Sequence, residues 1–437
     1  MKYRFSSRTA FTALCVGTAL FVATPAAAQD YEVWVVDQSN STGKTFGGAI
    51  HIYDGPAMNG NPAADLPPIA KIDLAGDTAT LCMTNTGTNP VRPHMLFFNS
   101  TGKFAVLSFV ASGHVVIFNA VSRQAVACLR TAAGAGGARQ AHAAVPSPDD
   151  TFIIVANQNG KLLERIESDY AAGVFTLNPA ATLNLATCVT PNGVACELAG
   201  VRPDNAPICP LVDSTSSLGF VTLRGGGLLV VNPRATPMAI VAEYDAQTVH
   251  GNGCGGVEAG GSMYLDSGGA TAANLAEFDV YRFPLTGYDA ANPVNSPMPL
   301  TVFSDDVGER DAHGVSATKA GRYVWVADRH AGVVEVFNTL TNDREPTLDL
   351  KSASAPDPSP DLMDLAPAGN RMFISLRGPT PLTGDPHVST GTTPGVMVMR
   401  IEEGGRRGDV IGIVRISNID AGGVERADPH GIRVRRR

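Results

Sequence analysis

The sequence has 437 residues, 44% of them hydrophobic and only 17% charged, with 46 glycines and 30 prolines. That composition can bury a large core and turns often, which excludes a disordered chain, and a repeat array can hold the whole length in one domain. The formal net charge of -8 argues against nucleic acid as a partner, because phosphate binding needs clustered Lys and Arg.

Residues 1–28 read as a secretory signal peptide. Lys2, Arg4 and Arg8 precede an apolar run from Phe11 to Val22, and Ala26, Ala27 and Ala28 mark a cut before Gln29. The run is too short to span a membrane comfortably, and no later segment replaces it. Cys15 lacks the small residues that precede a lipid-modified cysteine. The expectation is an exported, periplasmic or secreted monomer with no transmembrane segment, whose residues 29–437 form a single domain. Removing the three basic residues of the signal leaves 30 Lys and Arg against 41 Asp and Glu, and the run from Arg433 to Arg437 reads as a solvated tail. Six cysteines remain, an even number that suits disulfides in an oxidising compartment. Cys188 and Cys196 flank Pro191-Asn192-Gly193, a turn that folds the loop back on itself. Cys82 with Cys128, and Cys209 with Cys254, follow if neighbouring repeats lie side by side. No Cys-x-x-Cys-His haem attachment site occurs.

From Tyr31 onward the chain repeats one plan. Tyr31 to Val36 reads as a second strand without an opening one. His94 then begins a unit of four short β-branched or aromatic runs: Met95 to Phe98, Phe104 to Val110, His114 to Asn119 and Gln124 to Leu129. Further units start near His142, Cys209, His250, His313 and Asp361, and the unit at His313 repeats the plan closely. His94 is followed eight positions later by Gly102, His142 by Asp150, His313 by Gly321 and Asp361 by Gly369. Asp428 to Val434 reads as an opening strand with nothing after it. Joined to Tyr31–Val36, it would close a ring and remove exposed sheet edges. The predicted fold is all-β: a seven-bladed β-propeller of four-stranded antiparallel blades, closed by the C-terminal strand. Long amphipathic helical patterns are absent.

Pro146-Ser147-Pro148-Asp149 with Ile154-Val155-Ala156-Asn157, and Val324-Trp325-Val326-Ala327-Asp328, carry a resemblance to the YVTN-type bacterial propellers. It extends over nearly the whole chain after the signal, and its motifs are structural. The resemblance implies the propeller fold and, as often in that family, a binding role.

In such a fold the opening strands line a central channel. His94, His142, His250, His313 and His430, with Asp361, would then ring one mouth of it, and Cys209 falls near the same register. Converging imidazoles can hold a transition metal such as copper, zinc or iron, and a carboxylate can complete the shell. Histidines so placed can also simply bond the backbone of the next blade. The loops on the same mouth carry Arg224, Arg329, His330, Arg377 and His387, which would receive an anionic or carbonyl-bearing ligand at the entrance. His51 and His114 lie in third-strand runs and read as packing residues. The glycines at 134–137 and 225–227 lack the helix and Lys-Ser or Lys-Thr of a phosphate loop, and no Gly-x-Ser-x-Gly elbow occurs.

Three functions follow as expectations. The first is metal binding at the axial mouth, acting on or sensing a small molecule. Its histidine ring resembles in arrangement the copper-bearing propellers of nitrous oxide reductase and of the selenium-binding, methanethiol-oxidising family, without a partner electron-transfer domain or a matching local motif. The second is a non-enzymatic scaffold that docks a protein or envelope component. The third is a lactonase-like hydrolase, suggested by fold analogy alone. The sequence identifies no catalytic residue and leaves open whether the protein is an enzyme.

Overall fold

A computed structural model describes Met1 and residues 30–268, 276–305, 307, 309–382 and 390–437. It is nearly all β, with 47% strand and 7% helix. Four of its hydrogen-bonded sheets are four-stranded and antiparallel along the chain, and a fifth carries one short extra strand. The remaining sheet is eight-stranded. In it, two four-stranded sets are joined by a short parallel pairing in which Glu277 lies opposite Asp311. The strand Pro429–Arg436 pairs antiparallel with Tyr31–Asp37, with Ile432 opposite Val35.

Burial runs outward along each sheet, and side-chain chemistry follows it. Second strands such as Phe152–Asn157 and Tyr323–Asp328 are buried at every residue, because both of their faces meet neighbouring sheets. They are therefore continuous apolar runs rather than alternating ones. Outermost strands such as Val174–Leu177 alternate exposed and half-buried positions. Successive sheets share apolar layers. Trp34 and Ile50 pack with Leu96 and Phe109 between the first and second, and Tyr31, Val33 and Tyr53 pack with Phe373 and Val396 between the first and last.

Two features depart from the sequence reading. A helix, Asp77–Thr86, stands between the first two sheets. It has Asp77 in its first turn and ends on Gly87 at φ 74°, and Cys82 on it is bonded to Cys128 on the outer strand Gln124–Arg130. The expected Cys82–Cys128 bond is present, and it ties this helix to the second sheet. Cys188–Cys196 is also present. The C-terminal arginines are not a loose tail either. Arg435 is 8% exposed and bonds Glu32 at 2.9 Å, and Arg437 reaches the same carboxylate at 3.2 Å.

His51 and His114 are buried, as expected of packing residues. Burial holds the His51 imidazole down at about 4, with Lys71 adding to it, and burial with Arg130 nearby does the same to His114. Both folded values lie below the unfolded one, so folding favours the neutral ring. Their contribution is complete above about pH 6.5 and is lost as the pH falls towards 4. Urea titrations of metal-free protein are expected to show that loss, up to about 3 kcal/mol for each ring; a midpoint flat across that window would contradict it.

Candidate metal centre

The opening strands share a local irregularity at the residues of interest. Register slips by one residue between Pro93 and Leu96, Ala141 and Ala143, Pro207 and Pro210, Ala312 and Val315, and Pro360 and Met363, and between Pro429 and Ile432 opposite Asp37 and Val35. Each slip is a β-bulge, which bends the strand and re-aims the side chain it carries. The residues held in the bulges include His94, His142, Ile208, His313, Asp361 and His430. Four of the five periodic histidines therefore sit where the strand is bent.

Four of the five histidines and the aspartate come together. His94 Nε2 lies 3.3 Å from His142 Nε2. The His94 ring stacks on His430 with centroids 3.9 Å apart, and His430 and His313 are 5.3 Å apart. His430 Nδ1 donates to Asp361 Oδ2 at 2.6 Å. His313 Nε2 stands 3.0 Å from Asp361 Oδ1, within ion-pair reach, and neither of these buried atoms has a well-aligned hydrogen-bond partner. His430 Nε2 is also buried without a partner.

Second partners fix the tautomers. Gln38 Oε1 accepts from His94 Nδ1 at 2.9 Å and Asp361 accepts from His430 Nδ1, so both rings carry their lone pair on Nε2. Metal-binding histidines are oriented in this way, the far nitrogen donating to a carboxylate or carbonyl. Burial pushes the His94 and His430 imidazoles down, with Asp361 opposing, and holds His313 down at about 3, with Arg329 adding to it. Burial alone would push the Asp361 carboxyl up. His430 and His313 more than reverse that and hold it well below the usual carboxylate range. At neutral pH His94, His313 and His430 are thus neutral imidazoles beside one carboxylate. His313, Asp361 and His430 offer ligand atoms within 4.8 Å of one another.

Behind this cluster lie two buried guanidinium groups. Arg329 bonds Asp311 through two nitrogens at 2.7 and 3.0 Å, and Arg377 bonds Asp428 at 2.5 and 2.8 Å. They also approach Asp361, at 3.9 and 3.4 Å. Taken by themselves, Arg329 and Arg377 face Asp311, Asp361 and Asp428, two guanidinium groups against three carboxylates and so one negative charge in excess among these five side chains. A cation placed there would offset it.

The other expected residues fall elsewhere. His250 is not drawn into the cluster: its side chain is 41% exposed and its Nδ1 lies 2.8 Å from Asp279 Oδ2. The reason is register. A Cβ on Gly255 would lie 2.1 Å from His313 O, just as one on Gly314 would lie 2.1 Å from Asp361 O and one on Gly431 2.5 Å from His94 O. Gly255 is therefore equivalent to the residues after His313 and His430, and Cys254 takes the histidine's place in its sheet. The glycine-rich stretch Gly251–Gly256 moves His250 out of register. Cys209 and Cys254 form no disulfide, contrary to expectation. They are buried thiols with Sγ atoms 3.1 Å apart.

Arg329 and Arg377 are 3% and 2% exposed, so they hold the cluster's charge from behind rather than standing at an entrance. Arg224 bonds Asp204 at 2.6 Å and Asn159 at 2.9 Å, and His330 pairs with Glu309 at 2.7 Å, both with partly exposed side chains. His387 lies outside the described residues. The sequence reading missed Cys254 and the carboxylates Asp311 and Asp428. The latter two stand two positions before His313 and His430, an Asp-x-His spacing that was available to find them.

No protein-family model matches the sequence, and no curated protein matches it. Solved structures do resemble it. The periplasmic gluconolactonase of Pseudomonas aeruginosa is 12% identical with a TM-score of 0.58, covering 93% of this chain and 99% of its own. A Lactobacillus plantarum protein is 11% identical with a TM-score of 0.59 over the same shares. The β-propeller domain of Cps50 (Swd1) from Myceliophteria thermophila is 9% identical with a TM-score of 0.51, covering 75% of this chain and 87% of its own. At such identities the likeness speaks for the fold alone, and the fold is that of a β-propeller.

Proposed function

We propose that this is an exported, seven-bladed propeller of the YVTN type that binds a transition metal at its axial end and there acts on or senses a small molecule. The seven blades are the four-stranded sets, with Pro429–Arg436 completing the first and closing the ring. Export is supported by two disulfides and by a periplasmic structural neighbour, while residues 2–29, which hold the signal, lie outside the described residues.

One observation carries the metal reading. Buried lone pairs on neutral imidazoles converge beside a buried, ionised Asp361 in a cluster one positive charge short. Nitrogen and oxygen donors of this kind suit zinc, iron or copper(II). A divalent cation held there would supply Lewis acidity towards an oxygen of the small molecule. The chain's own part is to fix the tautomers through Gln38 and Asp361 and to keep His94, His313 and His430 neutral. His142, the less buried of the ring histidines, marks the side open to solvent.

Elemental analysis of untagged protein tests this. About one equivalent of zinc, copper or iron is expected, lost in Asp361→Asn and in the double variant His142→Ala/His313→Ala. Wild-type protein that stays metal-free in metal-replete medium, or variants that retain full stoichiometry, would count against it and leave a scaffold that docks a protein or envelope component. A lactonase-like activity is a second reading, favoured by the gluconolactonase neighbour. Turnover of simple lactones that stops on chelation would join the two readings, and turnover indifferent to chelation would separate them.

A further inference from the structure

Sulphur collects on one side of the same axial end. Cys254 stands at the histidine register of its sheet, and Cys209 and Met95 each stand one residue past that register in theirs. The two thiols are 3.1 Å apart, against about 2.05 Å for a disulfide, so they face each other unbonded. Met95 Sδ is 3.8 Å from Cys209 Sγ, and all three residues are at most 3% exposed. His142 offers a ring nitrogen within 4.8 Å of both thiol sulphurs.

The backbone around the pair is pinned. Cys209 N donates to Thr222 Oγ1 at 3.1 Å. Cys254 N and Gly255 N both donate to Asp266 Oδ1, at 3.1 and 2.9 Å. Asp266 Oδ2 is buried without a partner, and the whole residue is 0% exposed. Two thiols, a thioether and an imidazole held in fixed positions form a soft donor set, different in kind from the nitrogen and carboxylate donors of His313, Asp361 and His430.

We propose that Cys209, Cys254 and His142, with Met95 beside them, form a second subsite that takes a soft monovalent cation of the Cu(I) type. Thiolate and thioether ligands select that ion over the harder divalent ones. Each sulphur–metal bond formed at a cysteine replaces an S–H bond, so uptake releases up to two protons and involves no change of oxidation state. The inference rests on reading the axial end as a metal centre, yet its sulphur donors are separate from those of the first site, and the two can fail independently.

The test is an anaerobic titration of the full-length, reduced protein with Cu(I) supplied as its bathocuproine disulfonate complex, alongside Zn(II) uptake. Wild-type protein is expected to withdraw one Cu(I). Cys209→Ser/Cys254→Ser is expected to weaken that binding by about 100-fold or more and keep the wild-type Zn(II) stoichiometry, since it removes both soft anionic donors and none of the others. Asp361→Asn is expected to do the reverse. Met95→Leu, which keeps the side-chain volume, is expected to weaken Cu(I) binding by about tenfold or less. X-ray absorption at the copper edge of the wild-type complex should show sulphur neighbours, a readout that needs no variant to fold. Cu(I) affinity unchanged in the double serine variant, a copper shell without sulphur, or a Cys209–Cys254 disulfide in anaerobically prepared protein would each overturn the proposal. Zn(II) uptake without Cu(I) uptake would overturn it alone and leave the first site standing.

Discussion

Arg377→Ala is expected to destabilise the protein by about 3–5 kcal/mol, the usual result of removing one partner from a buried ion pair. The guanidinium is 2% exposed and bonds a fully buried Asp428 through two nitrogens. Without it, Asp428 loses its counter-charge and the excess negative charge of the cluster rises from one to two. The damage would not be local. Asp428 also accepts from Gln38 N through its backbone and donates its own N–H to Asp37, so it ties the last strand to the first sheet. Arg377→Lys keeps the charge but not the two-pronged geometry, and should recover only part of the loss. Asp361→Asn makes the opposite case: in metal-free protein it removes the excess charge, so it should leave stability unchanged or raise it while abolishing metal uptake. Urea denaturation at neutral pH reads all three. A cost below about 1 kcal/mol for Arg377→Ala would mean that the charge count is wrong.

Removing the bond between Cys82 and Cys128 is expected to cost about 4 kcal/mol, from the chain entropy restored by opening a loop with a sequence separation of 46. The bond anchors Asp77–Thr86, a helix of ten residues that is too short to be stable by itself. Cys188–Cys196, with a separation of only 8, should cost nearer 2.5 kcal/mol on the same argument. Cys82→Ser/Cys128→Ser should therefore account for the larger part of the stability that wild-type protein loses in reductant. If reductant leaves the wild-type urea midpoint unmoved, neither bond forms in the folded protein and the argument for an oxidising compartment weakens.

The sheets were legible because each strand is short and each turn is marked by Gly, Asp or Asn. The incomplete first unit and the orphan strand at Asp428 also pointed to each other, and the two pair in the structure. His94, His142, His313, His430 and Asp361 were legible for the same reason: one residue per repeat at one register. The bulges that aim them were not, because an extra residue in a strand leaves no mark on a pattern of apolar runs. His250 misled for a related reason. It stands near the start of a unit, but glycines between it and the strand break the spacing, and register passes to Cys254. The helix at Asp77–Thr86 is held by a disulfide rather than by a long amphipathic face, so periodicity had little to detect. Arg329 and Arg377 were placed at the correct end of the sheets but assigned to a ligand. Arg329 pairs with Asp311 on the opening strand of its own sheet, whereas Arg377 pairs with Asp428, next to the strand that joins the first sheet, a partner that only the tertiary fold brings within reach.

Crystals of metal-loaded protein, measured at the absorption edge of the bound element, test the central claim most directly. An anomalous peak is expected at the axial end, within about 2.0–2.2 Å of histidine nitrogens from at least two different sheets, with His313 or His430 among them. Electron density for those rings with no peak between them, or a peak held only by surface residues such as His330 and Glu309, would contradict it.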